Sequence, residues 1–146
     1  MLRTKQELAH KAIEAAEKYG LDAALVCSII ELSSSWNAAK EEWNPTRWLL
    51  MTDPIDVGGI DRWQIMATRW GLMQISGQEA LFHGYEEIEE LADPMTSLEA
   101  GCHVLRAIGS STEKWFGAER KGLAKGVLLI LPQYKSFVES RPCVNS

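Results

Sequence analysis

Long apolar runs are missing from this chain. The longest, GVLLILP at residues 126–132, is far short of the roughly 20 residues that a membrane-crossing helix needs. No membrane span is expected. Positive charge is also scarce, with 15 Lys and Arg against 20 Asp and Glu and a net charge of −5. An acidic domain repels phosphate backbones, so no nucleic-acid partner is expected. Cysteine is sparse too. The three residues, Cys27, Cys102 and Cys143, are odd in number and lack CxxC spacing. That pattern argues against a zinc site and against a complete disulfide framework, and leaves one disulfide open. Cys27 and Cys102 lie in apolar periodic stretches and read as buried thiols. His10, His83 and His103 have no partner at ligand spacing in the sequence, so neither a metal nor a cofactor is expected.

Low-complexity segments, internal repeats and strand-like alternation are nearly absent. What is present is an ordinary globular composition, 46% hydrophobic and 24% charged over 146 residues, enough for one domain with one core. The densest basic segment, residues 114–125, holds four basic and one acidic side chain and reads as solvated surface. The acidic run at residues 86–90 reads the same way. The N-terminus, MLRTKQELAHKAIEAAEKYG, carries positive charge but no apolar core of the secretory-signal type. The expectation is a protein that stays in the cytoplasm or is released by lysis or in a phage particle.

Helical signals recur along the chain. Thr4 and Glu7 form a capping box ahead of Leu8, Ala12, Ala15 and Ala16 at helical spacing, and Gly20 ends the helix. Asp22 then caps a helix over residues 23–32 whose Leu25, Val26, Ile29 and Ile30 are apolar on most of the circumference, as in a central helix. It ends in Ser33-Ser34-Ser35, followed by Trp36 and Asn37. Residues 38–70 are the least regular part. Pro45, Pro54, Gly58 and Gly59 punctuate them, and Trp43, Trp48, Trp63 and Trp70 are spread through them. GLMQI at residues 71–75 is expected to open a third helix toward Phe82, stopped by Gly84. Asp93-Pro94 opens a fourth, with Leu98, Cys102, Leu105 and Ile108 on one face and Gly109 at its end. A fifth helix is expected over residues 112–131, ending at Pro132, with a short piece at 134–140.

The order LDAALVCSII, SSSWN, a Trp-rich insertion, GLMQI, then LADPMTSLEAGCHVL resembles the soluble lytic transglycosylase and goose-type lysozyme group of the lysozyme superfamily. The resemblance spans about residues 8–108. It implies a mostly α fold, a single compact lysozyme-like helical domain over residues 1–146, acting on the glycan strands of peptidoglycan. In that group one carboxylic acid at the end of the central helix protonates the glycosidic oxygen, and burial keeps it protonated near neutral pH. The group's signature there is Glu-Ser-x-Trp-Asn.

This chain departs at the decisive position. Aligning Trp36-Asn37 with the signature puts Ser33 where the acid belongs, and a serine hydroxyl is far too weak an acid for the task. Glu31 is the nearest carboxylate, but two helical residues rotate a side chain by about 200°, which turns Glu31 away. The Ser triplet has no His or Asp placed to make a nucleophile of it. The subgroup's Arg-Tyr-Glu-Pro run corresponds to Glu42-Trp43-Asn44-Pro45, without its Arg and Glu. A polar Tyr-Asn-x-Gly stretch is matched here with apolar residues 128–132, which favours a filled cleft. One change could be an inactivating substitution; three together read as divergence.

The resemblance implies substrate-side roles for Ser34, Trp36, Asn37, Met73, Gln74 and Trp70. Indole faces stack on sugar rings, although Trp is equally a large core residue. Three functions follow. The favoured one is a degenerate, inactive lytic-transglycosylase-like protein that keeps the scaffold for glycan or protein binding. The second is an active peptidoglycan-cleaving enzyme using Glu31 or another carboxylate, or one in which Ser33 is an inactivating substitution. The third is a cytoplasmic protein-interaction module of phage or mobile-element origin.

Overall fold

The computed structural model describes residues 4–43, 65–85, 87–117 and 120–140. Expectations for Asn44, Pro45, Trp48, Pro54, Gly58, Gly59, Trp63 and Cys143 lie outside the described residues. Helices dominate the rest, as the periodicity predicts. Helix α1 (Lys5–Lys18) begins where Thr4 accepts a hydrogen bond from the Glu7 amide at 3.1 Å, and Gly20 leaves it at φ +70°. Asp22 caps α2 (Ala23–Ser34) by accepting from the Ala24 amide at 3.0 Å. Val26, Cys27, Ile29 and Ile30 of α2 are all fully buried, as expected of a helix running through the core.

Two expectations are corrected by the chain's own geometry. Residues 71–74 do not open a helix. They form the turn between two short antiparallel strands, β2 (Thr68–Trp70) and β3 (Ile75–Ser76), and β2 also pairs with β1 (Glu41–Trp43). Gly71 at φ +75° and Gln74 at φ +52° bracket the turn, and a right-handed helix admits neither value. The third helix, α3 (Gly77–Phe82), starts only after Ser76, whose hydroxyl accepts from the Glu79 amide at 3.1 Å.

The second correction concerns the C-terminal helix. Helix α4 (Pro94–Ala107), capped by Asp93 with Pro94 in its first turn, follows expectation. The predicted fifth helix instead divides at Gly117 (φ +71°) into α5 (Thr112–Phe116) and α6 (Lys121–Ser140). Helix α6 then continues through Pro132. Proline removes one donor, the partner of the Leu128 carbonyl, and Leu128 lies on the solvent side, where water can serve that oxygen.

The elements surround α2. Helix α6 packs along one side of it, α1 along another, and α4 packs against α1 and the 3-10 turn Ile88–Ala92. Small residues set the approach of α6, where a side chain at Gly126 would meet Leu32 Cδ1 at 3.0 Å. Cys27 and Cys102 are both free, buried thiols in this core. Desolvation pushes each up to about 12.

Candidate functional site

The C-terminal end of α2 is where the sequence places its chemistry. Ser35 and Trp36 both take left-handed backbone conformations, φ +51° and +66°, so the chain turns sharply out of the helix. Two such residues in succession without glycine are strained, and the surrounding contacts hold them there. Asn37 donates its amide to Ser34 O at 3.0 Å, and its side-chain oxygen accepts from the Ala39 amide at 3.1 Å. This local chain route delivers Lys40 back beneath the helix end.

Ser33 is buried, 4% exposed, and its hydroxyl has no hydrogen-bond partner among the described residues. Its carbonyl oxygen accepts from Lys40 Nζ at 2.7 Å, a cation at the negative end of the helix. Lys40 Nζ also lies 3.5 Å from Glu42 Oε2, and Arg69 Nη1 donates to Glu42 Oε1 at 2.7 Å. The Ser33 carbonyl is thus tied to Lys40, and both oxygens of the adjoining Glu42 carboxylate are taken up by cations. Sequence reasoning passed over Lys40 and Arg69. A basic residue six positions after the helix end carries no motif, and Arg69 is brought in by the β1–β2 register, which pairs it with Glu42.

Glu31 is held between two other helices. Its Oε1 accepts from the Tyr134 hydroxyl at 2.7 Å and lies 3.5 Å from Lys5 Nζ, between α6 and α1. Tyr134 in turn accepts from Trp36 Nε1 at 3.0 Å. Burial, then the hydrogen bond donated to Glu31, pushes the Tyr134 phenol above its ordinary range. The expected sugar-facing indole of Trp36 is therefore turned inward, 7% exposed, and fastened to α6.

The remaining candidates are gathered around the 71–74 turn. The Ser34 hydroxyl lies 2.7 Å from Leu72 O and 3.2 Å from Ile30 O. Gln74 Nε2 donates to Lys40 O and to Gly71 O, both at 2.8 Å, while its Oε1 is buried with no partner among the described residues. Met73 is fully buried on Gly101 of α4, where an added Cβ would stand 2.8 Å from Met73 Cβ. Trp70 is 8% exposed and donates to Ile65 O at 3.0 Å. Of the six substrate-side candidates, Asn37 alone is exposed. Among the other tryptophans, Trp43 is half exposed and Trp115 is buried.

The apolar run at residues 128–132 does not fill a cleft as expected. Leu128 and Leu129 are 68% and 82% exposed, because this stretch lies mid-way along α6 and only Val127 turns fully into the core. The structure also brings together two histidines that the sequence separates by twenty positions. His83 and His103 rings lie 5.4 Å apart, and His103 stacks on Tyr19. Among the described residues no group of three His, Cys, Asp or Glu is placed to hold a metal ion.

No curated protein and no solved structure matches the chain. The family model of the transglycosylase SLT domain matches residues 10–119. That span holds α2 with its terminal serines, the 71–74 turn seated on them, and α4 beneath Met73. Helix end, turn and supporting helix are matched as one unit over most of the sequence, and the chain belongs to the transglycosylase SLT domain family, with its lytic-transglycosylase-like scaffold.

Proposed function

We propose that this chain is a catalytically inactive member of the family that holds peptidoglycan glycan strands without cutting them. One observation supports the reading: Ser33, which the Trp36-Asn37 alignment sets in place of the acid, offers no carboxylate, and its carbonyl holds the Lys40 ammonium. The nearby carboxylates do not substitute. Glu31 is engaged between Tyr134 and Lys5, and Glu42 between Arg69 and Lys40. A general acid must be free to give a proton to the leaving oxygen within hydrogen-bond distance, and both groups are already engaged by these partners.

The test is sedimentation of the purified protein with insoluble peptidoglycan, alongside clearing of the same suspension. Co-pelleting without clearing supports the reading. Clearing by the unmodified chain contradicts its inactivity, and failure to pellet contradicts its glycan binding. A second reading, a scaffold that binds a protein instead, draws on the burial of Trp36, Trp70, Met73 and Gln74, whose side chains serve internal ties. Under that reading the protein stays in the supernatant.

A further inference from the structure

The outward stripe of α6 has no role in the site described above. Lys121, Lys125, Leu128, Leu129 and Pro132 recur at spacings of three and four, so they share one face of the helix, and all five are exposed. Leu128 and Leu129 are the most conspicuous of them, at 68% and 82% exposure. Neither lysine has an ion pair among the described residues. Leu128, Lys121 and Lys125 also border a shallow cavity of about 330 Å³ against α5, whose Glu113 is the one acidic side chain lining it. In a chain of net charge −5, this is a basic and apolar face set on an acidic body.

We propose that this stripe docks on an anionic lipid bilayer surface. The two leucines project from the helix, which suits insertion among acyl chains at the headgroup boundary. The lysines lie one to two turns back on the same face, and their long stems let the ammonium groups reach up to the headgroups while the leucines are immersed. Each lysine near an anionic surface adds attraction that salt weakens. The acidic remainder of the chain is repelled by the same surface, so only the α6 face approaches it and the orientation is fixed.

The experiment is flotation of the full chain with vesicles of phosphatidylglycerol mixed with phosphatidylcholine, and with phosphatidylcholine alone, at low and high salt. Two paired variants, Leu128→Ser with Leu129→Ser and Lys121→Glu with Lys125→Glu, are run beside it. Their melting temperatures verify folding, since all four side chains are exposed. The expected result is binding to the anionic vesicles, weakened by high salt and reduced about tenfold or more in each paired variant. Three outcomes overturn the proposal: no flotation of the unmodified chain, equal flotation of chain and variants, or equal binding to neutral vesicles. Self-association that the leucine pair abolishes also overturns it, assigning the face to a second copy of the chain. No glycan is present in the assay, so its outcome is independent of peptidoglycan binding.

Discussion

The ammonium of Lys40 lies 2.7 Å from the carbonyl oxygen of Ser33, the residue proposed above to stand in place of the acid. The contact is stabilising for the helix end and hostile to an acid. A carboxyl group installed at position 33 would stand beside a cation and lose its proton at neutral pH.

Restoring the acid therefore takes two changes. Ser33→Glu alone is expected to release glycan fragments weakly and only on the acid side, because a lowered carboxyl pKa leaves the protonated form populated only at low pH. Adding Lys40→Gln removes the cation and shifts the profile toward neutral pH. A pH series of fragment release from purified peptidoglycan checks this. Identical profiles for the single and double variants would remove Lys40 from the account.

Tyr134→Phe tests the latch between α2 and α6. The change strands the buried Trp36 N–H and is expected to cost about 1–3 kcal/mol, read as a lower denaturant midpoint. Glu31→Gln should cost less, since the carboxylate is partly exposed and its lysine partner mostly so. The pH dependence has a definite sign. The phenol is raised in the folded state, so its contribution is complete below the ordinary phenol value of about 10 and is lost as pH climbs beyond it. Tyr134→Phe should flatten that alkaline loss relative to the parent chain.

Gly101→Ala should destabilise the fold by about 1–3 kcal/mol, because its methyl would collide with Met73 at the back of the 71–74 turn. Gly109→Ala is a contrasting control. No atom stands within 4 Å of a Cβ there, and the only objection is the left-handed φ of +70°. Thermal melts of both variants separate packing from backbone strain.

Cys27 and Cys102 should resist a maleimide at mildly alkaline pH. Burial holds each thiol up to about 12, so thiolate is rare and access is closed. Peptide mapping by mass spectrometry should find both labelled only after denaturation. Rapid labelling in the native state would contradict the core packing.

Much of the scaffold was legible in the sequence. Local caps at Thr4, Asp22 and Asp93 announced three helices, and the structure uses each through a side-chain to backbone bond. The Ser76 and Glu79 pair was an equally local signal for the start of α3, hidden by the apolar run of GLMQI before it. The sheet escaped because strands of two or three residues are too short to show alternation. Pro132 misled because the helix presents Leu128, whose carbonyl loses its donor, to solvent. At the site, the motif pointed to the end of α2, where the structure ties Ser33 to Lys40 and Glu31 to Tyr134. The Lys40, Glu42 and Arg69 cluster was invisible, since it exists only through the turn at residues 35–40 and the β1–β2 register.

The most direct measurement is mass analysis of soluble products after prolonged incubation of the unmodified chain with purified peptidoglycan. The account predicts no anhydro-sugar or reducing glycan fragments above a protein-free control, while the protein itself is recovered in the pellet. Anhydro-sugar fragments that accumulate in proportion to protein and time would contradict it, and would establish a working acid other than residue 33.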